Sequence, residues 1–219
     1  MNSTKKQKVL MFDFDGVIVP TFEMNFEIAR ALWPNITQDS YREMFMGNIY
    51  DSVLSRVAGY TEEERKKNHD VSNEEYFKMY VPRLMETKPM PEMVQQIREL
   101  HKKYKMAIVS STVTGPLKEY LIMHDIAKHF DYIFGMDVHT NKTVKINMLF
   151  EKYGVTHNDC LFITDTVGDM KEAAKASLES IGVTWGFHTR ELLNCENPFL
   201  VIDSPSELSP AIEKYFEKR

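Results

Sequence analysis

Cysteine is scarce in this chain of 219 residues: Cys160 and Cys195 stand far apart, with no CxxC spacing. Two thiols so placed exclude a disulfide framework, and a reducing compartment is the simpler reading. Long hydrophobic runs are missing too. The basic start MNSTKKQK leads into an apolar stretch that breaks at Asp13, too short for a membrane span and without the cleavage pattern of a secretory signal. The expected location is the cytoplasm, with no membrane partner. Basic charge is not in excess either: 27 Lys plus Arg face 32 Asp plus Glu, a formal net charge of -5, so no nucleic-acid groove is expected. No cluster of histidine and cysteine offers a zinc site, and no repeat or low-complexity tract is evident. Oligomeric state is left open by these features.

What is present is alternation. Short apolar segments bounded by polar turns read as buried parallel strands: 8-KVLMF-12, 105-KMAIV-109, 132-YIFG-135 and 160-CLFI-163, with weaker candidates at 182-GVTWG-186 and 199-FLVI-202. Between them lie helical patterns at 91–104, 116–124, 143–153, 168–180 and 205–216. Strand alternating with helix predicts an α/β fold, a Rossmann-like and mostly parallel sheet flanked by helices.

Residues 20–88 break the alternation. They carry helical patterns such as 22-FEMNFEIARALW-33 and 74-EEYFKMYVPRLME-86 with no convincing strand, and Pro89 and Pro91 mark the return to the sheet. The expected organisation is a catalytic core from 1–19 and 89–219 with an all-helical cap domain, 20–88, inserted after the first strand. The aromatic and methionine spacing in the insert reads as helix packing.

The stretch 9-VLMFDFDGVIV-19 sets two carboxylates at the end of an apolar strand, where each is costly to bury unless paired or bound to something. In an open parallel sheet, ligands bind beyond the carboxyl ends of the strands. Asp13 and Asp15 fall in that zone, as do Ser110 and Ser111 after 106-MAIV-109 and Asp165 after 160-CLFIT-164; Asp169 lies one helical turn further on. Each has a plain alternative: the aspartates could stabilise a turn, either serine could cap the next helix, and Asp169 could be a helix-start carboxylate. Their joint placement after separate strands is the signal. Acidic groups converging on one place repel one another, and a hard oxygen-bound divalent ion, Mg2+ above all, removes that penalty.

These segments resemble, in order, the four motifs of the haloacid-dehalogenase-like hydrolase superfamily, in its phosphatase/phosphomutase-type branch with a helical cap between the first and second motifs. The first motif is similar to 13-DFDG-16, the second to 106-MAIVS-110, the third to Lys142 in 141-NKTVKINMLFEKYG-154, and the fourth to 165-DTVGD-169. The resemblance implies Asp13 as nucleophile, Asp15 as acid/base with its backbone carbonyl in the metal shell, Ser110 as holder of a phosphoryl oxygen and Lys142 as neutraliser of charge. It implies Mg2+ as cofactor, bound by Asp13, Asp15 and Asp165, with Asp169 ligating it or holding a metal water. Three departures stand out: Pro20 in 15-DGVIVPT-21 replaces an acidic residue of many relatives, Thr164 stands where glycine is common, and Lys142 is followed by 143-TVK-145 rather than PxP. Lys145 is therefore a rival for the role of Lys142.

The implied activity is Mg2+-dependent hydrolysis of a phosphate monoester through an aspartyl phosphate. A sugar phosphomutase and a noncatalytic phosphate- or protein-binding module are the alternatives. Asp15 argues against dehalogenation and phosphonate cleavage, whose specialists in the family typically lack an acid there. The expected partner is a small phosphorylated metabolite, such as a sugar phosphate or phosphoglycolate, selected by the cap. There, 46-MGNIYDSVLSR-56 is similar to the family's substrate-facing element: Gly47 is expected to permit close backbone approach, and Arg56 either faces an anionic leaving group or lies on a solvated helix face. The run 61-TEEERKKNHD-70 reads as exposed charge.

Overall fold

The computed structural model describes residues 7–51 and 62–218, with side chains described for 7–51 and 74–218. Arg56 and its neighbours lie outside the described residues, as do the side chains of the charged run.

Six strands form one parallel sheet: β1 Val9–Phe12, β2 Lys105–Val109, β3 Tyr132–Phe134, β4 Cys160–Thr164, β5 Ser180–Val183 and β6 Leu200–Ile202, in the order β3-β2-β1-β4-β5-β6. The order turns at β1, which pairs with β2 on one side (Phe12 opposite Ile108) and with β4 on the other (Phe12 opposite Ile163). Such a reversal opens a crevice beyond the strand ends. Alternate β1 side chains enter different cores. Leu10 and Phe12 join one with Ile97, Leu117 and Ile212, while Val9 and Met11 join another with Ile146, Leu149 and Ala173. Burial on both faces explains why the strands read as continuous apolar runs.

Those cores are covered by α4 Pro91–Leu100, α5 Thr114–Met123, α6 Lys142–Tyr153, α7 Val167–Lys175, the short α8 Arg190–Asn194 and α9 Leu208–Glu217, numbered after three helices of the insert: α1 Phe22–Leu32, α2 Gln38–Glu43 and α3 Glu62–Glu86. Proline opens α4, and Gly154 ends α6 in the left-handed conformation (φ 65°). Helix α3 is 25 residues long and carries the 74–86 pattern and most of the charged run 61–70 on one rod; its sequence has no glycine, and its one proline, Pro82, stands in its last turns. Strand β5 starts two residues before the expected 182–186 segment. Ser180 already pairs opposite Phe162, whereas Trp185 has left the sheet and donates its indole N–H to the Val17 carbonyl at 3.2 Å.

The insert is not insulated from the sheet. Ile28, Tyr80 and Leu84 belong to the same core as Phe12 and Ile163, and Met90 N–H donates to the Ile18 carbonyl at 3.1 Å where the chain crosses back. Cys160 and Cys195 are both free. Among the described residues no helix is long and apolar enough to cross a membrane.

Candidate active site

Asp13 follows β1, and its amide donates to the Ile163 carbonyl of β4, which fixes it between the two neighbouring strands. Its carboxylate turns inward: Oδ1 accepts the Phe14 amide at 2.8 Å, and Oδ2 lies 3.0 Å from Lys142 Nζ. Lys142 stands at the first turn of α6, 2 % exposed, and also reaches Asp169 Oδ2 at 2.7 Å. One ammonium thus bridges carboxylates from two motifs. Burial works against that ammonium, but Asp13 and Asp169 prevail and hold it charged well above the ordinary lysine range. Burial lifts Asp13 well above the carboxylate range against the pull of Lys142. For Asp169 burial acts upward too, yet the charge of Lys142 and hydrogen bonds bring it below its ordinary value.

Thr164, the residue before Asp165, contributes to this arrangement. Its hydroxyl donates to Asp169 Oδ2 at 2.7 Å and accepts the Thr166 amide at 3.3 Å, closing the turn before α7. A hydroxyl here replaces backbone freedom with a fixed donor.

Asp165 is fully buried. Oδ2 accepts the Phe187 amide at 2.7 Å, and Oδ1 has no hydrogen-bond partner. Burial pushes its carboxyl up to about 8, against the Phe187 hydrogen bond. Two glycines make room for it: a Cβ on Gly16 would stand 2.0 Å from Asp165 Oδ2, and one on Gly186 would stand 2.1 Å from it. Among the described residues no three His, Cys, Asp or Glu side chains form a metal cluster by themselves.

Asp15 is held by two hydroxyls. Tyr80, from α3 of the insert, donates to Oδ1 at 2.8 Å, and Thr112, beyond β2, donates to Oδ2 at 2.8 Å. Burial and the charge of Asp15 keep the Tyr80 phenol protonated, far above its ordinary pKa. Neither donor was identifiable in the sequence: Tyr80 sits in a helical pattern that reads as packing, and no local motif marks Thr112.

Ser110 is fully buried. Its hydroxyl accepts the Thr112 amide at 3.0 Å, and its carbonyl accepts Lys145 Nζ at 2.5 Å. Ser111 and Thr112 line the cavity that contains Asp13, Asp15, Lys142 and Asp169. Lys145 donates to backbone carbonyls, the second being Gly135 O at 3.3 Å.

The insert is fastened over this cavity. Tyr50 donates its hydroxyl to Ser111 O at 2.5 Å, and Asn48 Nδ2 donates to Glu172 of α7 at 3.0 Å. His188 accepts the Val167 amide at Nδ1 (3.0 Å), so Nε2–H faces the Arg42 carbonyl of α2 at 3.0 Å. Gly47 lines the cavity, and Gly168 packs closely behind it: a Cβ on Gly168 would meet the Gly47 carbonyl oxygen, whereas one on Gly47 would meet nothing within 4 Å.

Comparison with known proteins agrees with this geometry. Residues 10–183 match the family described as haloacid dehalogenase-like hydrolase. A phosphoglycolate phosphatase from Vibrio parahaemolyticus is 28% identical over 220 residues, spanning 92% of this chain and 94% of its own. A phosphoglycolate phosphatase from Aquifex aeolicus is 24% identical over 217 residues, spanning 95% and 98%. Among solved structures, a haloacid dehalogenase-like family hydrolase from Streptococcus pneumoniae matches with a TM-score of 0.76 at 18% identity, covering 95% of this chain and 100% of its own.

Proposed function

Because this chain belongs to the haloacid dehalogenase-like hydrolase family, in its phosphatase branch, we propose that it hydrolyses a small phosphorylated metabolite in the cytosol, with Mg2+ and through an aspartyl phosphate on Asp13. The observation that carries this reading is the Lys142 ammonium, 3.0 Å from Asp13 and 2.7 Å from Asp169 at the mouth of the sheet. A carboxylate nucleophile cannot approach a dianionic phosphate until the repulsion between them is cancelled.

The residues fit a magnesium ion. Asp165 Oδ1 is a buried acceptor with nothing to accept from, held in a cradle of two glycines. Magnesium is commonly held by one or two carboxylates, with waters and phosphate oxygens completing its shell. Asp13, Asp165 and the Asp15 carbonyl would hold it, with Asp169 ligating or reaching it through water. When bound, the ion supplies charge neutralisation on the transferring phosphoryl group.

In the first step an Asp13 oxygen attacks phosphorus, the ester P–O bond breaks, and Asp15 gives a proton to the leaving oxygen. In the second, Asp15 takes a proton from water as that water attacks phosphorus and displaces Asp13, releasing inorganic phosphate. Asp15 is oriented for this by the two hydroxyls that donate to its oxygens, from Tyr80 and Thr112. Once protonated, Asp15 can still accept from both hydroxyls while its own O–H is directed to the leaving oxygen. Ser110 and its neighbours at the end of β2 are assigned the phosphoryl oxygens, and residues 20–88 act as the cap.

The test is a panel of phosphate monoesters with Mg2+, measuring free phosphate and rearranged products together. Release of phosphate from at least one ester, lost in Asp13→Asn and in EDTA and restored by Mg2+, is the expected result. Isomerisation with negligible free phosphate would make the protein a mutase, and binding without turnover would make it a noncatalytic module.

A further inference from the structure

The cavity that holds the catalytic carboxylates is walled by rings. Trp33, Tyr41, Phe45, Tyr76, Phe77 and Phe187 line it, five from the insert and one from the segment after β5. They support one another edge to face: Phe45 and Phe187 have ring centroids 4.7 Å apart, Tyr41 and Phe45 5.2 Å, and Tyr76 and Phe77 5.5 Å. Offset and edge-on contacts of this kind also receive a flat guest.

In that apolar wall stands one polar side chain of α1. Asn25 lines the cavity and is 4 % exposed, and its Oδ1 has no hydrogen-bond partner. A buried amide oxygen left unpaired is costly, so a site that presents one is built for an occupant that donates to it. Among the described lining residues the sole Lys or Arg is Lys142, already shared by Asp13 and Asp169. Arg42 points elsewhere: its Nε donates to the Phe187 carbonyl at 2.9 Å, and its guanidinium lies over the Phe22 ring at 4.1 Å. Among the described residues, a carboxylate on the leaving group would enter a largely aromatic chamber beside Asp15 and meet no further cation.

Resting on the phosphatase reading above, we propose that the substrate is the phosphate ester of an uncharged ring-bearing alcohol, aromatic or heteroaromatic, whose ring carries an N–H or O–H group received by Asn25 Oδ1. The reaction releases that alcohol and inorganic phosphate at the expense of one water. The aromatic wall sets the shape of the leaving group, and Asn25 sets which face of the ring turns inward.

The experiment compares kcat/KM for benzyl phosphate, 3-hydroxybenzyl phosphate, ethyl phosphate and phosphoglycolate, whose leaving groups are all alkoxides. Benzyl phosphate is expected to exceed ethyl phosphate and phosphoglycolate by about 30-fold or more. The ring hydroxyl should add about 10-fold in the wild type and nothing in Asn25→Leu, or in Asn25→Ala if leucine does not fit. Phosphoglycolate equal to or better than benzyl phosphate would overturn the proposal, as would a hydroxyl effect that survives both variants. Calorimetric binding of benzylphosphonate and phosphonoacetate separates this inference from the activity beneath it. Tighter binding of benzylphosphonate with no turnover of any ester would remove the phosphatase reading and keep the pocket assignment. Equal, weaker or absent binding of benzylphosphonate would remove the pocket assignment whatever the turnover.

Discussion

Lys142 and Lys145 lie three residues apart on α6, both buried, and their surroundings drive their ammonium groups in opposite directions. Lys142 is held charged by two carboxylates, whereas burial, then the neighbouring charge of Lys142, pushes Lys145 down to about 7. The two are therefore separable by experiment. Lys142→Met should lower kcat by about 10²- to 10³-fold, the scale for removing one preorganised charge stabiliser, while Lys145→Met should cost far less.

Lys145 also predicts an alkaline gain in stability. Its folded pKa of about 7 lies below the ordinary lysine value of 10.5. Between these values the unfolded chain binds a proton that the folded chain does not, so folding becomes more favourable as pH rises, by at most about 1.4 kcal/mol per pH unit. Below 7 both states carry the proton and the dependence ends. Denaturant unfolding at pH 7 and pH 9 should show the wild type gaining on Lys145→Met; parallel behaviour of the two proteins would contradict this.

In the proposed mechanism Tyr80 is a positioning residue that acts through Asp15. Tyr80→Phe removes the 2.8 Å donor and leaves the Asp15 Oδ1 oxygen unsupported. Turnover of an alkyl phosphate should fall about 10- to 30-fold, the loss expected when a proton-transfer group is mispositioned. Turnover of p-nitrophenyl phosphate should fall much less, because its phenolate departs without a proton. Equal losses on both would mean that the tyrosine only holds the fold.

The glycine cradle gives a separate check. Gly186→Ala places a methyl group 2.1 Å from Asp165 Oδ2, which must move. Overpacking of this kind costs about 1–3 kcal/mol. The wild type is expected to gain melting temperature on adding Mg2+, through binding to the folded state alone, and the variant to lose both stability and that gain.

The sheet was legible because parallel strands buried on both faces leave continuous apolar runs, as in 160-CLFI-163 and 105-KMAIV-109. Asp13, Asp15 and Asp165 stand out in the sequence because carboxylates just past a strand break such runs, and Asp169 stands out by following one helical turn later. What joins these residues does not. Lys142 and Lys145 look alike in sequence, and only the helix rotation and the carbonyls of Ser110 and Gly135 tell them apart. Tyr80 reaches Asp15 across 65 positions of chain, and Thr112 does so across 97. The first contact depends on how the insert docks and the second on which strands pair, β1 with β2, and no local pattern encodes either. Thr164 reads as a departure from the family motif in sequence, and its role is seen only in the hydrogen bond of its hydroxyl to Asp169.

The His188 ring has a consequence for how acid would dismantle this molecule. A neutral imidazole is a clasp with two ends, accepting from Val167 at the start of α7 and donating to Arg42 in the insert. Burial lowers its pKa, so the clasp is closed at neutral pH. A second proton would free only one end. The grip on Arg42 persists, since a protonated ring still donates there, while the Val167 amide loses its acceptor. Failure in acid is thereby directed: the turn between Asp165 and Asp169 slackens while the roof above it stays pinned.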